Sequence, residues 1–458
     1  MKAVYDPAQI AHDPKFFLVR GVPQASAEQP ERAERLLAGL SSIGLRPEQP
    51  EDFGPGPRAM VHTPDYLRFL EHGWAQWQAL PGASREIVPN THPVRYAGTY
   101  PEGVLGRSGW HMADTACPIG EHTFAAACAS ANSAVGAAQW VLDGEPHAYA
   151  LCRPPGHHAY ADMAGGFCYL NNTAIVAELL RGRYPRVAIL DVDVHHGNGT
   201  QGIFWRRRDV LTISSHCDPN VIYPFHYGHA GERAEGDGLG YNYNSSAAGW
   251  SGDEALLAAV DKAGGIIRAF APGALVVALG LDTSGGRPAA RHDGDDARLC
   301  AWLGEAIARL GLPTVYVQEG GYLSPSLGAN LASFLTGGQV THTLPELGAS
   351  QLPAGVRARH RQRQRPADAR ARERLRDAGS PVCAAVAMLS ELGYSWRKIL
   401  PALAAAGYHA IAPDQRGYGR TTGWESDYDA DLAPFRMFNL VRDAMGLLWA
   451  MGYQRPTP

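Results

Sequence analysis

Four short runs of apolar residues organise this chain, and each stops abruptly at a polar, chemically capable sequence. Val187 to Leu190 is β-branched and aliphatic, and Ala148 to Cys152, Ala274 to Leu281 and Thr314 to Val317 are short runs of the same buried-strand kind. That is the pattern of strands buried on both faces of a parallel sheet. Residues 2 to 5 and Val210 to Ser214 suggest two further strands. Helix-like stretches lie between the runs, at Ala125 to Leu142 and Asn172 to Leu180. The alternation predicts an α/β fold, a parallel sheet with helices on both faces. Upstream, Glu28 to Leu40 reads as an amphipathic helix with Pro30 near its start. Residues 58 to 80 carry apolar positions at helical spacing (Tyr66, Leu67, Phe69, Leu70, Trp74, Trp77), which read as core. Ala11 to Gly21 and Val88 to Tyr100 read as loops.

The chemistry sits where the runs end. After Leu190 the chain continues Asp191-Val192-Asp193-Val194-His195-His196 and then turns at Gly197-Asn198-Gly199. If the strand stays extended, Asp191, Asp193 and His195 share one face. Asp193 and His195 can then grip one ion, since a carboxylate and an imidazole suit zinc or a similar first-row metal, but a third ligand is needed. For an isolated Asp-x-His the ordinary alternative is a polar strand end that caps nearby backbone. Partners at the other ends change that reading. Ala148 to Cys152 runs into Arg153-Pro154-Pro155-Gly156-His157-His158, the third run ends on Asp282, and the fourth ends in Gln318-Glu319-Gly320-Gly321-Tyr322. In a doubly wound sheet the carboxyl ends of the strands gather along one edge, where ligands bind. Asp193, His195 and Asp282 then form a three-ligand site with an open position, with His157, His158 and Tyr322 around it. Metal-assisted hydrolysis needs that set: a metal to acidify water, an imidazole to move its proton, and a phenol to donate to a developing oxyanion. Gly320 and Gly321 would leave the phenol free to move.

At these residues the chain resembles the histone deacetylase family, and within it the bacterial acetylpolyamine amidohydrolases. The resemblance is carried by CRPPGHHAYADMAGGFCYLNN (Cys152 to Asn172), ILDVDVHHGNGTQ (Ile189 to Gln201), LGLD (Leu279 to Asp282) and VQEGGY (Val317 to Tyr322). It implies an arginase/deacetylase-like sheet over residues 1 to about 340 and one zinc ion on Asp193, His195 and Asp282. It also implies an acid/base pair, His157 oriented by Asp191 and His158 oriented by Asn198, with Tyr322 polarising the acyl carbonyl. A structural potassium is implied at Asp191, the backbone carbonyls of Asp193 and His195, and the Ser214 hydroxyl. Gly166 and Phe167 would form one wall of a substrate tunnel, with Tyr223 and Phe225 as candidates for the other. Asp13-Pro14 and Phe16-Phe17 correspond to a loop at the subunit contact and site mouth, so a homodimer is expected. The implied substrates are small acetylated amines or acetyl-lysine.

Composition narrows the setting. The 458 residues are 45% hydrophobic with a formal net charge of -4, and no segment reads as a membrane span. No nucleic-acid partner is expected from that charge. Seven cysteines without a C-x-x-C pair suggest free thiols, and with no apolar leader the expected location is cytoplasmic.

Two stretches depart from the family pattern. After Asp282 the family has an acidic Asp-Pro, but this chain reads SGGRPAARHDGDD with Arg287 near that place. Ser215 and Cys217 replace an apolar residue and a glycine after the strand that begins at Val210. Beyond residue 340, residues 341 to 379 read as a basic, disordered linker. Residues 380 to 458 resemble the opening of an α/β-hydrolase of the epoxide hydrolase kind, in ELGYSWRKILPALAAAGYHAIAPDQRGYGRT (Glu391 to Thr421). G-x-S-x-G is absent, so this truncated fragment is expected to be inactive. Two other readings of the first domain stay open: a non-catalytic protein that binds metal or acylamine, and an arginase-type dimanganese hydrolase.

Overall fold

A computed structural model describes residues 1–93, 98–247, 253–282 and 296–339, together with two short strands farther along the chain. The chain divides into two compact units, Met1–Thr341 and His342–Pro458. In the second unit the described strands Val382–Ala384 and His409–Ile411 pair in parallel. The linker, the rest of the hydrolase-like stretch and the loop from Thr283 to residue 295 lie outside the described residues.

The first unit is built on a seven-stranded parallel sheet, made of β1 (Lys2–Val4), β4 (His147–Ala150), β5 (Val187–Asp191), β6 (Val210–Cys217), β7 (Asn242–Ala247), β8 (Ala274–Leu279) and β9 (Thr314–Gln318). Across the sheet the order is β1-β4-β9-β8-β5-β6-β7. All of β5 and β8 is buried, which explains their unbroken apolar sequence. The four strands whose ends carry the chemistry, β4, β9, β8 and β5, are consecutive neighbours, so their carboxyl ends share one stretch of edge.

The helices cover the sheet in two packed groups. One contains α5 (Thr123–Leu142) and α6 (Asn172–Arg181), which pack on each other and on β4, β5, β8 and β9. Helix α5 is alanine-rich and buried nearly all round, so it lacks a polar stripe. Helix α6 starts at Asn171, whose side chain accepts from the Ala174 amide at 2.8 Å. The second group runs from α1 (Glu31–Ser42) through α10 (Leu327–Gln339) and α9 (Asp296–Ala308) to α8 (Asp253–Phe270), which packs on β5 and β6. In α1 the apolar stripe Ala33, Leu36 and Leu40 faces inward. The stretch from 58 to 80 forms α3 (Pro64–Gln78), burying Tyr66, Phe69, Leu70 and Trp77. Among the described residues no helix is long and apolar enough to cross a membrane. The six cysteines of this unit outside the undescribed stretches are free thiols.

Two expectations need correction. Ala11 to Gly21 is not a loop throughout: Phe16–Val19 (β2) and Val22–Ala25 (β3) form an antiparallel hairpin. Its tight turn places Arg20 at φ 52° and Gly21 at φ 78°, the geometry of a primed hairpin turn. An Arg-Gly pair does not announce that turn as Asn-Gly would. The central strand also ends at Asp191 and does not stay extended to His195. Residues 193–195 bend, and helix α7 (Asn198–Phe204) starts directly after Gly197.

Candidate metal centre and active site

The bend after β5 separates carboxylates that strict alternation would have put on one face. Asp191 turns to the histidine pair, with its Oδ2 2.9 Å from His157 Nδ1, while its Oδ1 accepts from the Asp193 amide at 3.0 Å. Asp193 and His195 turn instead to Asp282, just past β8. His195 Nδ1 lies 3.1 Å from Asp193 Oδ1 and 3.2 Å from Asp282 Oδ2. The backbone holds both carboxylates: the Gly320 amide donates to Asp193 Oδ2 at 2.8 Å, and the Val194 amide donates to Asp282 Oδ1 at 3.2 Å. Ligand atoms of Asp193, His195 and Asp282 all lie within 4.8 Å of one another.

These three residues fit a divalent cation. Asp193 and Asp282 are buried, and Asp282 Oδ2 faces the His195 imidazole at 3.2 Å without a well-formed hydrogen bond among the described residues. A buried carboxylate oxygen left without a donor is costly unless a cation satisfies it. Burial opposes a charge on His195, yet the two carboxylates outweigh it and raise its pKa to about 9, so the pocket favours positive charge at this point. Two oxygens and an imidazole nitrogen suit zinc or a similar first-row ion. A second cluster, His157, Cys168 and Glu319, is different. Glu319 there accepts from the amides of Gly156 at 2.6 Å and His157 at 3.0 Å and from the Thr173 hydroxyl at 2.8 Å, so its carboxylate is already satisfied by the fold.

The adjacent histidines differ electrically. His158 Nδ1 meets Asn198 Oδ1 at 2.6 Å, while Asn198 Nδ2 donates to the Tyr160 hydroxyl at 3.1 Å. An amide oxygen only accepts, so the proton of a neutral His158 is on Nδ1 and its lone pair on Nε2. Burial, with the charges of His157 and His195, holds His158 well below the usual histidine pKa. Burial also opposes charge on His157, but Asp191 and Asp193 overcome it and raise its pKa. One imidazole is thus held neutral and its neighbour charged.

Tyr322 follows β9 on a turn whose glycines serve close approach. A Cβ on Gly320 would lie 2.3 Å from Asp193 Oδ2 and 2.5 Å from Asp282 Oδ2. The Tyr322 ring lies 5.8 Å from that of Phe167, which follows Gly166 in the turn after the histidines. Of the two candidates for the opposite wall, Tyr223 is the inner one, its ring 4.8 Å from that of His158. Phe225 lies behind it, 6.4 Å from Tyr223 and 52% exposed. Ser214 is brought beside Asp191 by the β5–β6 register, with its hydroxyl 2.8 Å from His216 Nδ1. Cys217 is buried at the end of β6, and burial, then Asp282, pushes its thiol up to about 12.

Sequence reasoning missed the supports of this site. Glu28, Arg32 and Arg153 are fully buried and form an ion-paired group, with Glu28 2.6 Å from each arginine. Arg32 donates to the carbonyls of Glu319 and Gly321. Arg153, at the base of the histidine turn, donates to the carbonyl of Gln9 at 2.7 Å and to that of His12. A charged residue on the buried side of a predicted amphipathic helix was the available signal.

Fold and site define a sheet-edge centre of the deacetylase type, and the chain belongs to the histone deacetylase family: the model for the histone deacetylase domain matches residues 26–337. It is accordingly an enzyme of the deacetylase class. The acetylpolyamine amidohydrolase of Burkholderia pseudomallei is 47% identical over 74% of this chain and 98% of that relative. Acetylpolyamine amidohydrolase 1 of Pseudomonas aeruginosa is 43% identical over 74% of this chain and 98% of its own length. A crystal structure of the acetylpolyamine aminohydrolase from Burkholderia pseudomallei superposes with a TM-score of 0.71, at 47% identity, covering 74% of this chain and 98% of that one. A second family model, for the alpha/beta hydrolase fold, matches residues 389–455.

Proposed function

We propose that this protein is a zinc-dependent amidohydrolase that removes acetyl groups from amines, releasing acetate and the free amine, with acetylpolyamines preferred over acetyl-lysine. The observation that carries the reading is the meeting of Asp193, His195 and Asp282 within 4.8 Å, with the His158 ring 6.1 Å from that of His195. The preference for polyamines is supported by relatives of that name at 47% and 43% identity.

Asp193, His195 and Asp282 would hold the ion, which when bound supplies Lewis acidity toward the acyl oxygen and lowers the pKa of water. His158 acts as general base, because its Nδ1–H is committed to Asn198 and its Nε2 lone pair is available. His157, paired with Asp191, carries a proton that can pass to the leaving amine. Tyr322 donates from its phenol to the oxygen on which charge develops. Tyr223 and Phe167 shield the reacting carbon from water.

A structural potassium at Asp191, Asp193, His195 and Ser214 belongs to the same reading. It is supported by the pairing of Asp191 with Ser214 across β5 and β6. A homodimer is supported by the family resemblance at Asp13-Pro14 and Phe16-Phe17, and a cytoplasmic location by cysteines without a C-x-x-C pair; sedimentation and cell fractionation test the two.

The deciding experiment measures bound metal by mass spectrometry alongside turnover of acetylputrescine and an acetyl-lysine peptide, before and after chelation and zinc return. One zinc per chain with chelator-sensitive turnover is the expected result. Full activity without metal would overturn it. Two manganese ions would point to the arginase type, and bound metal without turnover to a binding protein.

A further inference from the structure

We infer that Asp114 is a specificity-determining positioning residue: its carboxylate fixes both aromatic walls beside the histidines and so sets which acyl groups can reach them. The inference rests on the amidohydrolase reading above.

Asp114 lies in the connection between α4 (Val104–His111) and α5, remote in sequence from every motif of the site. Its Oδ2 accepts from the Tyr223 hydroxyl at 2.7 Å and from the Gly166 amide at 3.1 Å. Its Oδ1 accepts from the Ala116 amide at 2.8 Å. The turn made by that last bond presents the Ala116 carbonyl to the Phe167 amide at 3.2 Å. Three segments distant in sequence are therefore joined at one carboxylate: the 114–116 turn, the 166–167 turn and the loop of Tyr223.

Both walls need such a tie. Phe167 sits at φ 69°, a left-handed conformation that a bulky side chain adopts only when its surroundings impose it. The amides of Gly166 and Phe167, held by Asp114 and by Ala116, impose it here. Tyr223 packs edge-on to His158 and lies 6.4 Å from the His195 ring, contacts that leave a ring free to tilt. A hydrogen bond from its hydroxyl to a carboxylate is charge-assisted and pins the far end of the ring. The Gly166 backbone, next to Phe167, is packed directly against the facing wall: a Cβ on Gly166 would meet His158 Cδ2 at 2.5 Å and Tyr223 Cε1 at 2.8 Å. Small tilts of either ring would thus change the width available to an acyl chain.

The test uses the full-length, zinc-loaded protein with N-acetyl, N-propionyl and N-butyryl putrescine, measuring kcat and KM for each. Calorimetric binding of the matching methyl and propyl ketone analogues gives a second readout that needs no turnover. A rigid wall discriminates about tenfold or more per methylene, and Asp114→Asn is expected to cut that to about threefold or less, chiefly through KM. Tyr223→Phe keeps the charge and should relax the preference in the same direction. The double variant should be no worse than Asp114→Asn alone, because both changes break the same bond. An acyl preference unchanged in both variants, or losses that multiply in the double variant, would overturn the inference. An equal loss for all acyl lengths in Asp114→Asn alone would also overturn it, since that is the mark of simple charge attraction. Wild-type protein that discriminates the ketones but turns over nothing would sink the amidohydrolase reading and leave the wall assignment standing; wild type without ketone discrimination sinks the wall assignment.

Discussion

The guanidinium of Arg32 lies 5.3 Å from the centre of the Tyr322 ring and donates to the carbonyls on either side of Gly320. Its charge is matched by Glu28, which also pairs with Arg153 below the histidine turn. One buried carboxylate therefore ties the turn carrying the phenol to the turn carrying the imidazoles. Without Arg32, Glu28 keeps Arg153, but the carbonyls of Glu319 and Gly321 lose their donor, and leaving buried acceptors unsatisfied costs about 1–3 kcal/mol each. Arg32→Met should lose stability of that order in urea unfolding, and the folded fraction should lose kcat more than KM. Unchanged kcat would mean that Tyr322 is positioned without this support.

Gly320 leaves no room for a side chain beside the Asp193 and Asp282 carboxylates of the proposed metal site. Gly320→Ala should push Asp193 and Asp282 apart and weaken zinc binding about 10–100-fold, the scale of damage to groups supporting a ligand. Competition against a chromophoric chelator measures this, with circular dichroism checking the fold. Wild-type affinity in a folded variant would rule out the three-residue site.

Asn198 fixes the tautomer of His158 through Nδ1. Asn198→Ala should lower kcat about tenfold or more, part of the usual contribution of a positioned base, while metal content stays at the wild-type value. If kcat holds, His158 is not the base.

Acid should destabilise the fold through buried histidines that are held neutral. The Asn171 amide donates to His62 Nε2 at 2.9 Å, and burial holds the His62 pKa down at about 4 against an ordinary value of 6.5. Between those values the unfolded chain binds a proton that the folded chain refuses. Stability from this site is therefore complete above about pH 6.5 and is lost as pH falls toward 4, by up to about 3 kcal/mol. His12, held well below its ordinary value by burial and then by Arg153, acts in the same direction. Thermal melts of wild type and His62→Gln between pH 7 and 4 should show a shallower slope for the variant. Parallel slopes would refute the assignment.

The site is contained within Met1–Thr341. A protein ending at Thr341 should therefore keep the kcat/KM of the full chain for acetylputrescine. Loss of turnover in a folded truncation would assign a role to the later residues.

How much of this could be read from the sequence depends on how local the cause is. Buried parallel strands need unbroken apolar runs, so β5, β8 and β9 are legible in one dimension, and so are Asp193, His195, Asp282, His157, His158 and Tyr322 at the ends of such runs. Strand alternation misdirected one step: β5 stops at Asp191, and the bend after it, rather than a shared face, sends Asp191 to His157 and Asp193 to Asp282. The β2–β3 hairpin escaped because its turn uses Arg20 where asparagine would have signalled it.

Which strands neighbour one another was decided only in three dimensions. The crossovers place β9 and β8 between β4 and β5, although β4 and β5 come first in the chain, and that order gathers the chemistry at one edge. The same is true of Glu28, Arg32, Arg153, Asp114 and Tyr223. The chain offers Tyr223 as a wall candidate and Arg32 as a charge on the buried face of a helix, but most of the groups that satisfy these residues come from distant segments. A hydrophobic pattern records what must be buried, but the partner that makes a buried charge tolerable is specified only by packing.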